Sequence, residues 1–342
     1  MLTISKIKYN ALSNLKFIDL FAGIGGFRLA LNSFGAKCVF TSEWDEHSQK
    51  VYKENFNDEV AGDITKIKEE DIPKHDILCA GFPCQAFSIS GKQQGFADTR
   101  GTLFFDIARI VKFHQPKILF LENVKNFETH DDGKTLQTVI QILEEKTEAK
   151  LGYSIFYKVL NASNYGIPQK RQRIYILGFR NDLGITNFDF PKPVSFCPKL
   201  KDLTLDDKET EKYVIKRADI ILDDSKKIEG NTKGSIINKT FRIGIVNKGG
   251  QGERIYHENG HAITLSAYGG GAGAKTGLYL INEKIRKLAP RECARLMGFP
   301  EDFKISKSIT QAYKQFGNSV VVDVLQYILM EICNQKILEP KI

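Results

Sequence analysis

The segment 81–88 reads GFPCQAFS and follows the apolar run Ile77, Leu78, Cys79, Ala80. A cysteine between proline and glutamine at that place has four possible uses: redox partner, metal ligand, nucleophile or small core side chain. Six cysteines, at 38, 79, 84, 197, 293 and 333, are scattered without a C-x-x-C pair, which argues against both a disulfide framework and a zinc site in a reducing compartment. Cys79 lies within the apolar run and reads as a core side chain, whereas Cys84 lies past its end, where ligands of open parallel sheets bind. Two further features stand near it in chemical type. Glu122 in FLENV follows four apolar residues, so partial burial there can keep a carboxyl neutral near pH 7; alternatively it caps the turn that follows. Arg171 and Arg173 in QKRQRIYIL have i, i+2 spacing at the entry to a strand, which puts both on one face. They are either a solvated edge or, facing Cys84 and Glu122, an anion site.

The elements that must position these residues alternate in the manner of a doubly wound sheet. KFIDLF (16–21) reads as a strand, GFRLALNSFG (26–35) as a helix stopped by Gly35, and KCVFTSE (37–43) as the next strand. HDILCAGF, PKILFLENV, FYKVLNA and RIYILGF continue the strands, with TLFFDIARIVKF and TLQTVIQILEEK as amphipathic helices between them. From about Pro191 the rhythm breaks, and nine of the 28 glycines fall between Gly249 and Gly277, around the strand-like KTFRIGIV, HAITLSAY and GLYLIN. That region reads as a small, loop-rich β domain built for contact. After Pro290 helices return, and SVVVDVLQYILMEIC (319–333) has the spacing of a terminal helix packing back on the first half.

Between the first strand and first helix, DLFAGIGG (19–26) makes a glycine-rich turn where backbone can approach a ligand and a helix N-terminus offers free N–H groups. Glu43 ends the second strand, where an acid can accept from both ribose hydroxyls of an adenosine. The pattern is not the G-x-G-x-x-G that a pyrophosphate needs, so S-adenosylmethionine fits better than NAD. Trp44, the single tryptophan, can stack on adenine or act as a half-buried packing aromatic. Asp63 in GDIT recurs at the next strand-to-helix corner, placed to accept from an exocyclic amine. A thiolate, a neutral acid and an arginine beside such a cofactor suggest one reaction. Carbon 5 of cytosine is too electron-poor to take a methyl cation directly, but thiolate addition to carbon 6 with protonation of nitrogen 3 makes the ring an enamine. That chemistry cannot proceed inside a stacked duplex, so the base must be flipped out.

At this point FIDLFAGIGGFRLAL, SEWD, GDIT, GFPCQAFS, ENV, QKRQRIYIL, RKLAPRECARLMGFP and QFGNSV can be taken as a series. In that order, from about Leu15 to Ile332, they resemble the motifs of the bacterial DNA (cytosine-5)-methyltransferases. The resemblance implies an α/β, Rossmann-like S-adenosylmethionine-dependent methyltransferase fold, a mixed sheet flanked by helices, with a small β-rich target-recognition domain. The corresponding boundaries are 1–198 for the catalytic and cofactor-binding domain, 199–289 for target recognition, and 290–342 for the hinge and returning C-terminal helix. It implies Cys84 as nucleophile, Glu122 as proton donor to the base, and Arg173 as anchoring partner with Arg171 beside it. It places Phe21, Gly23, Ile24, Glu43 and Trp44, with Asp63, Ile64, Pro83, Asn318 and Ser319, around S-adenosyl-L-methionine, which leaves as S-adenosyl-L-homocysteine. Gln85 to Thr102 resembles a loop that closes over DNA, with Ser88 and Ser90 as contacts. Gln251, Arg254, Thr264 and Tyr268 correspond to the residues that read GCGC and its inner cytosine. The stretches around Glu144 to Gly152 and at 223–238 differ in length from the pattern, which leaves the chemistry untouched.

Composition agrees without deciding. The 49 Lys and Arg against 41 Asp and Glu give a net charge of +8, which suits a polyanionic partner. No stretch approaches the ~20 uninterrupted apolar residues of a membrane span, and MLTISKIKYNALSN lacks the apolar core of a signal peptide, so a cytoplasmic bacterial protein is expected. His257 and His261 flank a turn sequence and read as a solvated loop, with no metal expected. Double-stranded DNA is the expected partner, the enzyme monomeric, a cognate restriction endonuclease linked to it in function only. Two competing readings remain: an RNA cytosine-5 methyltransferase sharing the motifs, and a DNA-binding regulator that has lost activity. An NAD-dependent oxidoreductase is more distant.

Overall fold

In the computed structural model, residues 10–83, 103–144, 151–232 and 239–338 are described. Cys84, Ser88, Ser90 and the segment Gln85 to Thr102 lie outside the described residues. The chain forms two compact units. The larger comprises Ile7–Leu160, Gln172–Pro191 and Leu325–Ile342; the smaller comprises Met1–Lys6, Asn161–Arg171 and Lys192–Val324.

A six-stranded sheet runs through the larger unit. Its strands are β1 (Lys16–Leu20), β2 (Lys37–Ser42), β3 (Ile77–Gly81), β4 (Ile118–Val124), β5 (Tyr153–Asn161) and β6 (Gln172–Arg180), in the order β2-β1-β3-β4-β6-β5. The first four pair in parallel, and β6 joins β4 antiparallel. Strands β1, β3 and β4 are buried on both faces and mostly apolar, as strands covered on both sides are. The helices are α1 (Gly26–Ser33), α2 (Glu46–Phe56), α3 (Leu103–His114) and α4 (Lys134–Leu143). Helix α1 buries Phe27, Ala30 and Leu31, and Phe27 meets Phe120 of β4 edge-on at 5.1 Å. Helix α2 is weakly apolar and starts on its cap: the Asp45 carboxylate accepts from Ser48 N at 2.9 Å, and Asn57 ends the helix at φ 53.

The smaller unit holds a second sheet of short strands. These are β7 (Ile220–Leu222), β8 (Arg242–Val246), β9 (Arg254–His257), β10 (Leu278–Ile281) and β11 (Lys284–Arg286), in the order β11-β10-β9-β8-β7. Its core is Ile243, Val246, Ile255, Leu278 and Leu280. The segment HAITLSAY, expected as a strand, is not one: it alternates between buried and exposed residues but makes a single bridge, Gln169 to Ala262. Short helices α5 (Asp207–Thr210) and α6 (Asp224–Thr232) precede β8, and α7 (Pro290–Leu296) and α8 (Ile309–Asn318) follow β11. Arg286 and Glu292 form a buried two-pronged ion pair, both bonds 2.7 Å, and Glu292 also accepts from Ala289 N and Leu205 N.

Helix α9 (Val322–Asn334) closes the described chain. Within the larger unit its Gln326 amide donates to Ser33 Oγ at 2.8 Å at the end of α1. The span Ile309–Asn334 is long and apolar enough to cross a membrane by length and composition, yet 72% of its most apolar window is buried, as in a core helix.

Candidate active site

The carboxyl edge of the larger sheet is set by register. Gly81 at the end of β3 stands abreast of Glu122 in β4, and Val124 stands opposite Arg173 at the start of β6. Because β6 runs against β4, its first residues, not its last, arrive at this edge. The result is an ion pair, Arg173 Nε to Glu122 Oε1 at 3.1 Å, with both side chains largely buried. Glu122 lies inside β4, and the turn after it is capped from Val124, so the capping alternative does not hold. Next to Glu122, the buried Asn123 accepts from Val124 N through its own side-chain oxygen at 2.8 Å. Past Gly81 come buried Phe82 and exposed Pro83, the last described residue before Cys84. Cys79 is fully buried and its thiol is pushed up by burial, an inert core side chain as read.

Arg171 does not share a strand face with Arg173. It precedes β6, and its guanidinium is buried in the smaller unit. There it donates to the carbonyls of Leu265 at 3.0 Å, Gly317 at 3.0 Å and Ser319 at 2.6 Å. The i, i+2 argument fails because it needs both residues in one extended strand. Gln169 acts alongside: its amide donates to Leu296 O at 2.9 Å and accepts from Leu265 N at 3.2 Å. Gly317 lies so close to this chain that a Cβ there would sit 2.3 Å from Ala267 N.

The glycine-rich turn has a backbone that few residues adopt. Phe21 has φ 55, Gly23 φ 56 and Gly25 φ 89. Glu43 is buried at the end of β2. Its carboxylate accepts from Gly23 N at 2.7 Å and Asp45 N at 2.8 Å, while the Gln49 amide donates to its carbonyl at 2.7 Å. Burial pushes Glu43 up, against the pull of those backbone donors. Trp44 is 78% exposed, so the packing-aromatic alternative fails and the ring is free to stack. Asp63 caps the turn that begins at buried Ile64, accepting from Thr65 N at 3.0 Å and Thr65 Oγ1 at 2.8 Å; these bonds hold it below the usual carboxylate range. A Cβ added at Gly23 or Gly62 would meet nothing within 4 Å, so open space lies beside both corners. The donor set and that space fit an adenosine carrying a short charged tail. Ile24 is buried beneath the turn. In the smaller unit Asn318 is exposed and Ser319 is buried, held by Arg171.

One feature of this region escaped sequence reading. Asp19 on β1 is completely buried, neither carboxyl oxygen has a hydrogen-bond partner, and burial pushes its pKa up to about 8 against the pull of Arg28. An acid in the middle of an apolar strand pattern was the available signal.

Among the recognition candidates, Gln251 and Tyr268 are exposed, Tyr268 at 74%, and Arg254 is half-buried with its Nε directed to Gly249 O at 3.4 Å. The Thr264 hydroxyl donates to Lys170 O. His257 and His261 are not a solvated loop. Both are buried, and burial holds both below the usual imidazole range, His261 at about 4. Asn259 N donates to His257 Nδ1 at 3.1 Å. No cluster that could hold a metal is found among the described residues.

Comparison with known proteins gives the family. Residues 15–334 match the family described as C-5 cytosine-specific DNA methylase. The chain is 60% identical over 327 residues to the type II methyltransferase M.HhaI of Haemophilus parahaemolyticus, covering 96% of this chain and 97% of that one. It is 43% identical to the type II methyltransferase M.HpaII of Haemophilus parainfluenzae, covering 93% and 88%. Among solved structures, Dnmt2 methyltransferase of S. pombe superposes with a TM-score of 0.66 at 19% identity, covering 94% and 99%, a likeness of fold. By the family match over residues 15–334 and the 60% identity to a type II methyltransferase, the chain belongs to the C-5 cytosine-specific DNA methylases and uses S-adenosylmethionine as methyl donor.

Proposed function

We propose that this enzyme methylates the inner cytosine of GCGC in duplex DNA, flipping the base out and attacking it with Cys84, as the type II modification component of a restriction–modification system. The observation that carries the chemistry is the Glu122–Arg173 pair, one strand over from the end of β3 that leads to Cys84. The Cys84 thiolate adds to carbon 6, and Glu122 delivers a proton to nitrogen 3, so the ring electrons collect at carbon 5. Arg173 holds Glu122 in place and faces the base. S-adenosylmethionine, when bound, supplies the methyl group that carbon 5 takes up. The carbon 5 proton then leaves to a base, the carbon 6–sulfur bond breaks as nitrogen 3 returns its proton to Glu122, and the thiolate, the neutral acid and the aromatic ring are restored. Glu43, Trp44 and Asp63 hold the adenosine, with Phe21, Gly23, Ile24, Ile64, Pro83, Asn318 and Ser319 lining the rest. Ser88, Ser90, Gln251, Arg254, Thr264 and Tyr268 contact DNA.

The domain reading is 1–198 for catalysis and cofactor, 199–289 for recognition and 290–342 for the return. The enzyme acts as a cytoplasmic monomer, linked to its endonuclease in function alone. Support for GCGC comes from the likeness of GGQGERIY and AITLSAY to the recognition stretch of a GCGC-reading family member. Bisulfite sequencing of a plasmid exposed to the enzyme should show conversion-resistant cytosines at GCGC alone. Resistance elsewhere would sink the specificity and leave the chemistry. Cys84→Ser should bind duplex DNA but transfer no methyl group, because a hydroxyl is far less acidic; transfer above a few per cent of wild type would refute the covalent step. Faster methylation of total tRNA than of duplex DNA would favour an RNA substrate.

A further inference from the structure

Arg217 lies far in sequence from the β8–β9 loop, yet a chain of hydrogen bonds connects them. Its guanidinium grips Asp219 through two bonds of 2.8 and 2.7 Å. Asp219 accepts from Asn247 N at 3.0 Å. The Asn247 side-chain amide donates to Glu253 Oε1 at 2.6 Å, and Gly250 N donates to Glu253 Oε2 at 2.9 Å. Both oxygens of Glu253 are therefore engaged across one loop, and these bonds hold its carboxylate below the usual range. Asn247 has φ 48 and Gly249 φ 73, conformations that asparagine and glycine tolerate best, and Gly249 N donates back to Val246 O at 3.1 Å. The loop is also locked on its far side. Gly273 N donates to Gly252 O at 2.7 Å, and a Cβ at Gly252 would stand 2.0 Å from Gly270 O, so that contact requires glycine. Gln251 lies between Gly250 and Gly252, one from each lock, and Arg254 directly follows Glu253. Neither Asn247 nor Glu253 belongs to the reading set named above.

We propose that Glu253 is a positioning residue for sequence recognition: by bridging Asn247 and Gly250 it fixes the loop from which Gln251 and Arg254 approach the bases. The inference rests on the proposed reading of GCGC by these two side chains. A bidentate arginine contact to guanine discriminates only when the fork is held in register. Releasing the bridge leaves the arginine able to reach phosphate or base but unable to choose between bases as sharply. Discrimination should fall while the methyl-transfer chemistry, built in the other unit, is spared direct change.

The test compares initial methylation rates on duplexes containing GCGC and on duplexes with one outer base replaced, and takes their ratio. Wild type methylating GCGC fastest supports the underlying reading; wild type without that preference sinks the underlying reading, whatever the variants do. Glu253→Gln and Asn247→Gly, the latter keeping the left-handed backbone, should each lower the ratio at least about fivefold, the lower end of what one bidentate guanine contact supplies. The double variant Asn247→Asp with Glu253→Gln reverses donor and acceptor across the same gap and should restore part of the ratio. A ratio unchanged in either folded single variant overturns the proposal. So does an equal loss of rate on every duplex with no change in ratio, which is what a merely structural contact would give.

Discussion

Glu122 and Arg173 are each unremarkable in isolation, an acid after an apolar run and a basic residue entering a strand. Held 3.1 Å apart and screened from solvent, they form a single unit in which the arginine fixes the direction of the carboxyl. Glu122→Gln keeps size and hydrogen bonding but cannot deliver a proton, so single-turnover methyl transfer should fall about 10²- to 10⁴-fold, with cofactor affinity kept. An undiminished rate would reduce Glu122 to a structural role. Asp19 calls for a different measurement. Its native pKa of about 8 stands far above the ordinary 3.8, so between those values the unfolded chain has released a proton that the native state keeps. The stability this provides is complete below about pH 4 and is lost as pH rises towards 8, at up to about 1.4 kcal/mol per pH unit. Asp323, pushed up to about 6 by burial, adds a slope of the same sign over a lower window. Denaturant unfolding of Asp19→Asn across that range should show a shallower loss than wild type; parallel curves would mean that Asp19 is ionised in the native state.

Elements decided which of these residues meet. The strands β1 to β4 were legible because parallel strands buried on both faces read as apolar runs, and the terminal helix because of its spacing. Helix α2 was not, since EHSQKVYKENF carries few apolar residues and rests on its Asp45 and Asn57 caps. The strands β7, β9 and β11, of three to four residues, are too short for alternation to show. The acid and the nucleophile segment could be placed by position along strands. The ion pair could not, because it depends on an antiparallel strand inserted between β4 and β5, which no local pattern announces. The same ignorance misplaced Arg171. Its three carbonyl acceptors make it a tie between the segment at Leu265 and the segment at Gly317 to Ser319. Arg171→Ala should cost about 2 to 4 kcal/mol in stability, orphaning buried carbonyls. Arg171→Lys should lose at least about 1 kcal/mol because an ammonium cannot span the fork. A lysine variant of native melting temperature but lowered rate would instead make Arg171 a direct substrate contact.

For the whole molecule, a net charge of +8 and a phosphate-lined substrate make ionic strength the controlling variable. The logarithm of DNA affinity should fall linearly with the logarithm of salt, by about 0.9 per neutralised phosphate. A flat profile in a filter-binding titration would contradict duplex DNA as the substrate. The division into two units carries a further consequence, for biosynthesis. The larger unit takes its first stretch from Ile7–Leu160, leaves the chain, returns at Gln172–Pro191, and is completed only by Leu325–Ile342. A ribosome therefore releases the first two stretches of this unit on the order of ten seconds before α9, whose Gln326 bonds Ser33 at the end of α1, emerges to complete it. In that interval the nascent chain is a candidate for chaperone capture. A fragment stopped after Pro191 should sediment as aggregate, and adding the 325–342 peptide in trans should recover part of it in soluble form.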